Sequence, residues 1–412
     1  MKRPAIDPAL LVILAGVSAA LHVGKLPPAL PVLREALGVT LLQAGFLLSM
    51  VQLAGMTLGL VVGLAADGLG LRRSMLTGLW VLAGASAVGG WARGPGELLA
   101  LRALEGFGFL LVSLPAPSLI RKLVPVARLS AMLGLWGAYM PVGTALALLC
   151  GPLAIAVVGW EGWWWGLAAL SAGMAVWLAL GVPSDGALRT ASAATAPAVK
   201  RQQPAPAWRQ RLRQTLACRG PWLVALTFAM YSGQWLAVVG FLPSIYAQAG
   251  MAGALVGLLT ALAAAVNIVG NVGSGRLLQR GLQPQHLLYT GFAAMSLGAL
   301  LAFGLPDSPP WLRYAGVLLF SMVGGMIPGT LFSLAVRLAP SDNTVSTTVG
   351  WMQQWSAIGQ FAGPPLVAWV AGAAGGWQWT WVVTGLCALA GVLLARKIAD
   401  AVRCPGVSCQ ED

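Results

Sequence analysis

Charge is scarce in this chain. Aspartate and glutamate together number 12 in 412 residues, and charged side chains of both signs make up 9%. A water-borne globular protein of this length needs more charge than that to cover its surface, so a soluble fold is excluded. Histidine is scarcer still, with only His22 and His286. No Ser/His/Asp, metal-ligand or phosphate-loop constellation is present, so an enzyme is not expected. Five cysteines are too few for a disulfide scaffold. Cys150 and Cys387 fall in apolar runs, while Cys218, Cys404 and Cys409 fall where a reducing cytoplasm is expected, so free thiols are expected throughout. The pair in "CPGVSC" lacks companion ligands. Neither a metal nor a cofactor is expected.

Apolar sequence, by contrast, is abundant. Hydrophobic residues make up 58% of the chain and its mean hydropathy is +0.78. Runs of about twenty apolar residues recur from end to end, each long enough to cross the hydrocarbon core as a helix. Breaks rich in charge, Gly and Pro divide them into twelve spans, near 9–32, 41–66, 74–92, 97–120, 129–158, 163–182, 220–247, 253–278, 286–304, 311–336, 344–372 and 379–395. The first apolar run is too long for a secretory h-region and is read as a retained span. The expected fold is an all-α polytopic membrane protein, its twelve transmembrane helices forming two pseudo-symmetric six-helix bundles.

The net charge of +13 is a topology signal. Twenty of the 25 Lys and Arg residues fall on the side of the N-terminus and three (Arg34, Arg93 and Arg313) on the other, with Lys25 and Arg102 inside spans. By the positive-inside rule both termini are cytoplasmic, in a multi-pass protein of the plasma (inner) membrane. No nucleic-acid partner is implied. "GWEGWWW" at 159–165 and "GWQWTW" at 376–381 fall at two expected outer loops, where indole rings favour the headgroup layer.

Residues 183–219 are basic, rich in Ala, Pro and Gln, and read as a cytoplasmic linker. Its last part, "AWRQRLRQ", suits a short amphipathic helix at an anionic leaflet. The linker separates two copies of one pattern. A shift of 212 maps Leu30-Pro31 onto Leu242-Pro243 and Gly45 onto Gly257, and a shift of 216 maps Gly134 onto Gly350 and Gly143 onto Gly359. The expected organisation is an N-terminal bundle over 1–182, the linker, a C-terminal bundle over 220–403 and a cytoplasmic tail over 404–412. Two such bundles with a site between them is the layout of a secondary transporter.

Between spans two and three stands "GLAADGLGLRR", which resembles the loop signature G-x-x-x-D-x-x-G-x-R-R of the major facilitator superfamily through Gly63, Asp67, Gly70, Arg72 and Arg73. "RALEGFG" in span four resembles the family's R-x-x-x-G-x-G through Arg102, Gly106 and Gly108. The resemblance implies a gating role for the five loop residues, with Asp67 set against the start of span eleven near Thr344. The second copy, "GRLLQRG", has Gln279 in place of Asp67, so the halves are not expected to be mechanically equivalent.

The segment "LHVGKLPPALP" places His22 and Lys25 on one face of the first span. An unpaired lysine at that depth costs about 3 kcal/mol, so it is expected to face the protein interior or a watery cavity. Span four brings Arg102 and Glu105 to similar depth. Lys25 and Arg102 against Glu105 leave one positive charge uncompensated, which an anionic solute completes; a purely structural ion cluster is the competing reading. In the family fold, spans one, two, four and five and their counterparts line the central cavity. That resemblance makes His22, Lys25, Arg102, Tyr139, Gln234, Trp235 and Gln354 the expected substrate-binding set. Glu105 and His22 are the expected proton carriers.

"GFLPSIYAQAG" at 240–250 and "WMQQWSAIGQFAGPPL" at 351–366 look like spans seven and eleven of the cyanate/nitroimidazole-type branch, which implies a small anionic or polar solute moved with a coupling proton. A drug/proton antiporter is the alternative, although the antiporter motif G-x-x-x-G-P-x-x-G-G is broken here by Ala147, Ile155 and Ala156. A non-transporting membrane sensor is a remote third reading.

Overall fold

In a computed structural model, which describes residues 7–188, 208–251, 253–305, 307–341 and 344–403, the chain is helical, and several of its helices open with proline in the first turn. The first helix, α1 (Pro8–Gly24), starts with Asp7 accepting a hydrogen bond from the Ala9 amide and with proline in its first turn. It breaks at Lys25 and resumes as α2 (Leu26–Ala36), because Pro27 and Pro28 have no N–H to offer the preceding turn. The second span is α3 (Leu41–Ser49), a 3₁₀ turn over Met50–Gln52, and α4 (Leu53–Leu69). Then come α5 (Leu71–Gly89), α6 (Pro95–Ser113), α7 (Ala116–Leu123), α8 (Val126–Gly137) and α9 (Tyr139–Gly181).

The 43 residues of α9 make two crossings. The chain reverses at Gly159, where φ is +73°, so the outer loop expected between spans five and six contracts to a single glycine. After α10 (Trp208–Ala217), the second half runs through α11 (Arg219–Gln248), α12 (Ala254–Ala265), α13 (Asn267–Gln279), α14 (Pro284–Ala299), α15 (Pro310–Gly324), α16 (Met326–Arg337), α17 (Val345–Ala373) and α18 (Thr380–Arg403). Among the described residues, nine helical segments are long and apolar enough to cross a membrane. The second crossing of α9, together with α5 (19 residues) and α17 (29 residues), completes the twelve.

The duplication is visible in the packing. In the first half α1 packs on α9, and α5 on α6 and α9; in the second α11 packs on α17, and α14 on α15 and α18. Each half has its own apolar core, one around Leu79, Leu82 and Met174, the other around Phe292, Phe320 and Leu331. A third core joins the halves at the end of the molecule far from the termini, where Leu26, Leu30 and Leu48 meet Phe241, Val367 and Ala368. At that end α2 packs on α11 and α9 on α12. Along the rest of the molecule the halves are joined through α3 and α4 against α17.

The linker's last part forms α10, which packs on α11 and α17 with Trp208 exposed. Cys218 is disulfide-bonded, which corrects the expected free thiol there, whereas Cys150 and Cys387 are free.

Candidate functional site

The breaks in the first two spans create the candidate site. Where α1 gives way to α2, backbone carbonyls take side-chain donors: Arg102 Nη1 donates to His22 O (2.6 Å) and Trp163 Nε1 to Lys25 O (3.1 Å). Where α3 gives way to the 3₁₀ turn, Arg102 Nε donates to Leu47 O (3.3 Å). Irregular backbone is tolerated at membrane depth only where protein groups satisfy it. The family-like glycines of α6 let this happen, since Gly106 lies against the backbone of Val51 and Gly108 against Gly78.

Around that anchored guanidinium the charges converge. Glu105 sits between two cations, accepting from Arg102 Nη1 through Oε2 (2.6 Å) and from Lys25 Nζ through Oε1. Lys25 Nζ also donates to Ser86 Oγ (2.9 Å) and lies 4.5 Å from the centre of the Trp164 ring. Ser86 in turn donates to Trp164 O (2.9 Å). His22 Nε2 pairs with Ser171 Oγ at 2.7 Å, and its Nδ1 is 3.8 Å from Glu105 Oε1. His22, Lys25 and Arg102 are fully buried and Glu105 is 1% exposed. His22 Nδ1 and Arg102 Nη2 have no hydrogen-bond partner. The cluster holds two cations and one carboxylate inside the first half, so it carries one excess positive charge.

The expected substrate-binding residues do not form one site in this arrangement. Tyr139 stacks on Trp136, ring centres 4.2 Å apart, beside Gly16 of α1. Gln234 is buried and donates to Met230 O of its own helix, while Trp235 Nε1 donates to Ser321 Oγ (3.1 Å) inside the second half. Gln354 reaches across to α4, where it bonds Leu60 N and Met56 O. The groups that complete the charge cluster (Ser86, Trp163, Trp164 and Ser171) come from the third and sixth spans, which sequence reasoning passed over.

Of the five loop residues, Gly63 and Asp67 have side-chain positions outside the described residues. Gly70 turns the chain at φ +90°, and the backbone N–H groups of Arg72 and Arg73 donate to Oδ1 and Oδ2 of Asp185 (3.0 and 3.1 Å). The Arg72 guanidinium bonds Ala179 O. Asp185, an acidic residue in an otherwise basic linker, was the one available sign of this partner.

The family model of the Major Facilitator Superfamily matches residues 9–364. Over 102 residues, a quarter of the chain, it is 33% identical to an uncharacterized MFS-type transporter of Mycobacterium tuberculosis. Over 122 residues, 28% of the chain, it is 30% identical to the tetracenomycin C resistance and export protein of Streptomyces glaucescens. These matches cover 18% and 23% of the two relatives, so the chain spans less than a quarter of the length of either. Among solved structures, the E. coli xylose transporter XylE matches with a TM-score of 0.75 at 14% identity, covering 95% of this chain and 97% of that one. A bacterial homologue of the human lysosomal transporter Spinster matches with a TM-score of 0.78 at 14% identity, covering 97% and 98%. These matches support the superfamily and not the cyanate/nitroimidazole-type branch.

Proposed function

Since the chain belongs to the major facilitator superfamily and is a membrane transporter rather than an enzyme, we propose that it is a secondary active transporter. It moves a small anionic or polar solute by alternating access, with a proton as the coupling ion. The observation that carries this reading is the buried excess charge of the first half: Lys25 and Arg102 against Glu105. A buried charge that nothing balances is costly, and it raises the potential of the nearby wall in favour of an anion. The second half offers that solute neutral partners, among them Gln234 and Asn271. Glu105, held between two cations, and His22, whose Nδ1 is unpartnered, carry the coupled proton. The loop from Gly63 to Arg73 acts in gating, in keeping with its anchorage on Asp185.

The arginine asymmetry supports cytoplasmic termini, with 183–219 read as the linker between bundles 1–182 and 220–403.

The test is flux into liposomes of purified protein under an imposed pH gradient, with small anions (nitrate, cyanate, mono- and dicarboxylates) and lipophilic cations as separate panels. Uptake of one anion class, driven by the gradient and lost in Lys25→Gln, supports the proposal. Movement of lipophilic compounds with no anion flux supports drug export instead, the reading favoured by the match to the tetracenomycin export protein.

A further inference from the structure

Gln354 joins the halves in an unusual way. Leu60 N–H donates to Gln354 Oε1 at 3.1 Å, and Gln354 Nε2 donates to Met56 O at 2.8 Å. Met56 and Leu60 are four residues apart, so their carbonyl and amide are the very pair that an α-helix bonds to itself. One carboxamide from α17 therefore contacts both members of a rung in the α4 ladder, within a helix that runs unbroken from Leu53 to Leu69. Gly59 packs beside it: a β-carbon there would lie in ordinary contact with Gln354 Cβ, at 3.5 Å. One turn away Gly55 faces Ala357, and Gln52 Nε2 donates to Gln360 Oε1 at 3.1 Å, so small and amide side chains line the whole contact.

We propose that Gln354 is a releasable latch between the two halves, a positioning residue for alternating access. The proposal rests on the alternating-access reading above. A hydrogen bond between packed helices normally resists separation, because each partner is left buried and unpaired. Here Leu60 N–H and Met56 O have each other as partners in the unbroken α4 helix, so separation leaves neither of them unpaired. Only the Gln354 amide needs a new partner, and this side chain is half-buried, so water reaches it as the halves part. The contact thus holds the pair together while closed and adds little to the barrier against opening. The Gln52–Gln360 pair differs, since the buried Gln52 Nε2 is left without its acceptor when it breaks, while Gln360 keeps its bond to Ser356 Oγ.

The latched arrangement is readable by disulfide trapping. A β-carbon built on Gly55 lies 3.0 Å from Ala357 Cβ, so a shift of under an ångström between the helices brings a cysteine pair there to disulfide spacing. In the full-length protein in liposomes, carrying Gly55→Cys and Ala357→Cys, the oxidation rate of that pair is followed by mass spectrometry. Adding Gln354→Leu is expected to slow it about fivefold, the population shift from losing two modest hydrogen bonds. Gln354→Glu keeps the shape and the acceptor but has no N–H for Met56 O, and it is expected to slow the reaction as well. Unchanged rates in both variants overturn the proposal. Where Gln354→Leu does not fold, the Glu variant decides alone. If the native protein moves no solute in the flux assay, the transport reading fails while the trapping rates still report the latch.

Discussion

A β-carbon on Gly70 would stand 2.7 Å from Oδ2 of Asp185. The carboxylate occupies that space because it caps α5, taking the Arg72 and Arg73 amides that the first turn of a helix leaves unpaired. The loop signature is therefore fastened at φ +90° to the end of the sixth span of its own half.

Removing the cap should show directly in stability. Asp185→Ala is expected to cost about 0.5–2 kcal/mol, and Asp185→Asn less, since one acceptor oxygen remains. Gly70→Ala combines a strained backbone with the lost space and is expected to be the worst of the three. Thermal melts of the purified variants give the order, and a Gly70→Ala melt equal to wild type would contradict the geometry.

Charge balance inside the first half makes two neutralising substitutions unequal. Glu105→Gln leaves Lys25 and Arg102 facing each other without a carboxylate, the case in which a broken buried pair costs about 3–5 kcal/mol. Lys25→Gln leaves Arg102 and Glu105 as a balanced pair and is expected to be clearly milder. Folded yield and melting temperature measure both, and equal losses would refute the count of one excess cation.

Sidedness follows from the basic residues. Cysteine placed at Asp307, in the turn between spans nine and ten, is expected to react with an impermeant maleimide on intact cells. Cysteine at Gln283, between spans eight and nine, is expected to react only after the cells are opened. The reverse pattern would turn the whole topology over.

Much of this was readable in advance. Twelve spans, their duplication and the meeting of Lys25 with Arg102 and Glu105 all follow from charge set into apolar runs at matching depth. The direction in which each helix faces was not readable, because helices that are apolar on every side have no polar stripe to orient them. Lys25 is expected to face the protein interior or a watery cavity, and it is buried in the interior, but its contacts with Ser86 and Trp164 on the third and sixth spans were not readable. Gln354 is expected as a solute contact because it is a polar residue on a span that lines the cavity in the family fold; its bonds to the α4 backbone are advertised by no side chain on that helix. The one-glycine turn at Gly159 was hidden by the four tryptophans of 159–165, which read as a loop.

Among the described residues, every hydrogen-bond partner of the buried charge cluster, from Leu47 O to Ser171 Oγ, belongs to the first half. Its ions therefore travel with that bundle as one body and shift little along the membrane normal when the bundles rock. A charge crossing the full membrane potential involves about 2.3 kcal/mol per 100 mV, and almost none of that falls on these side chains. The current measured across a vesicle membrane would then count only the cargo and its coupling ion, which makes the net charge moved per cycle a direct reading of stoichiometry.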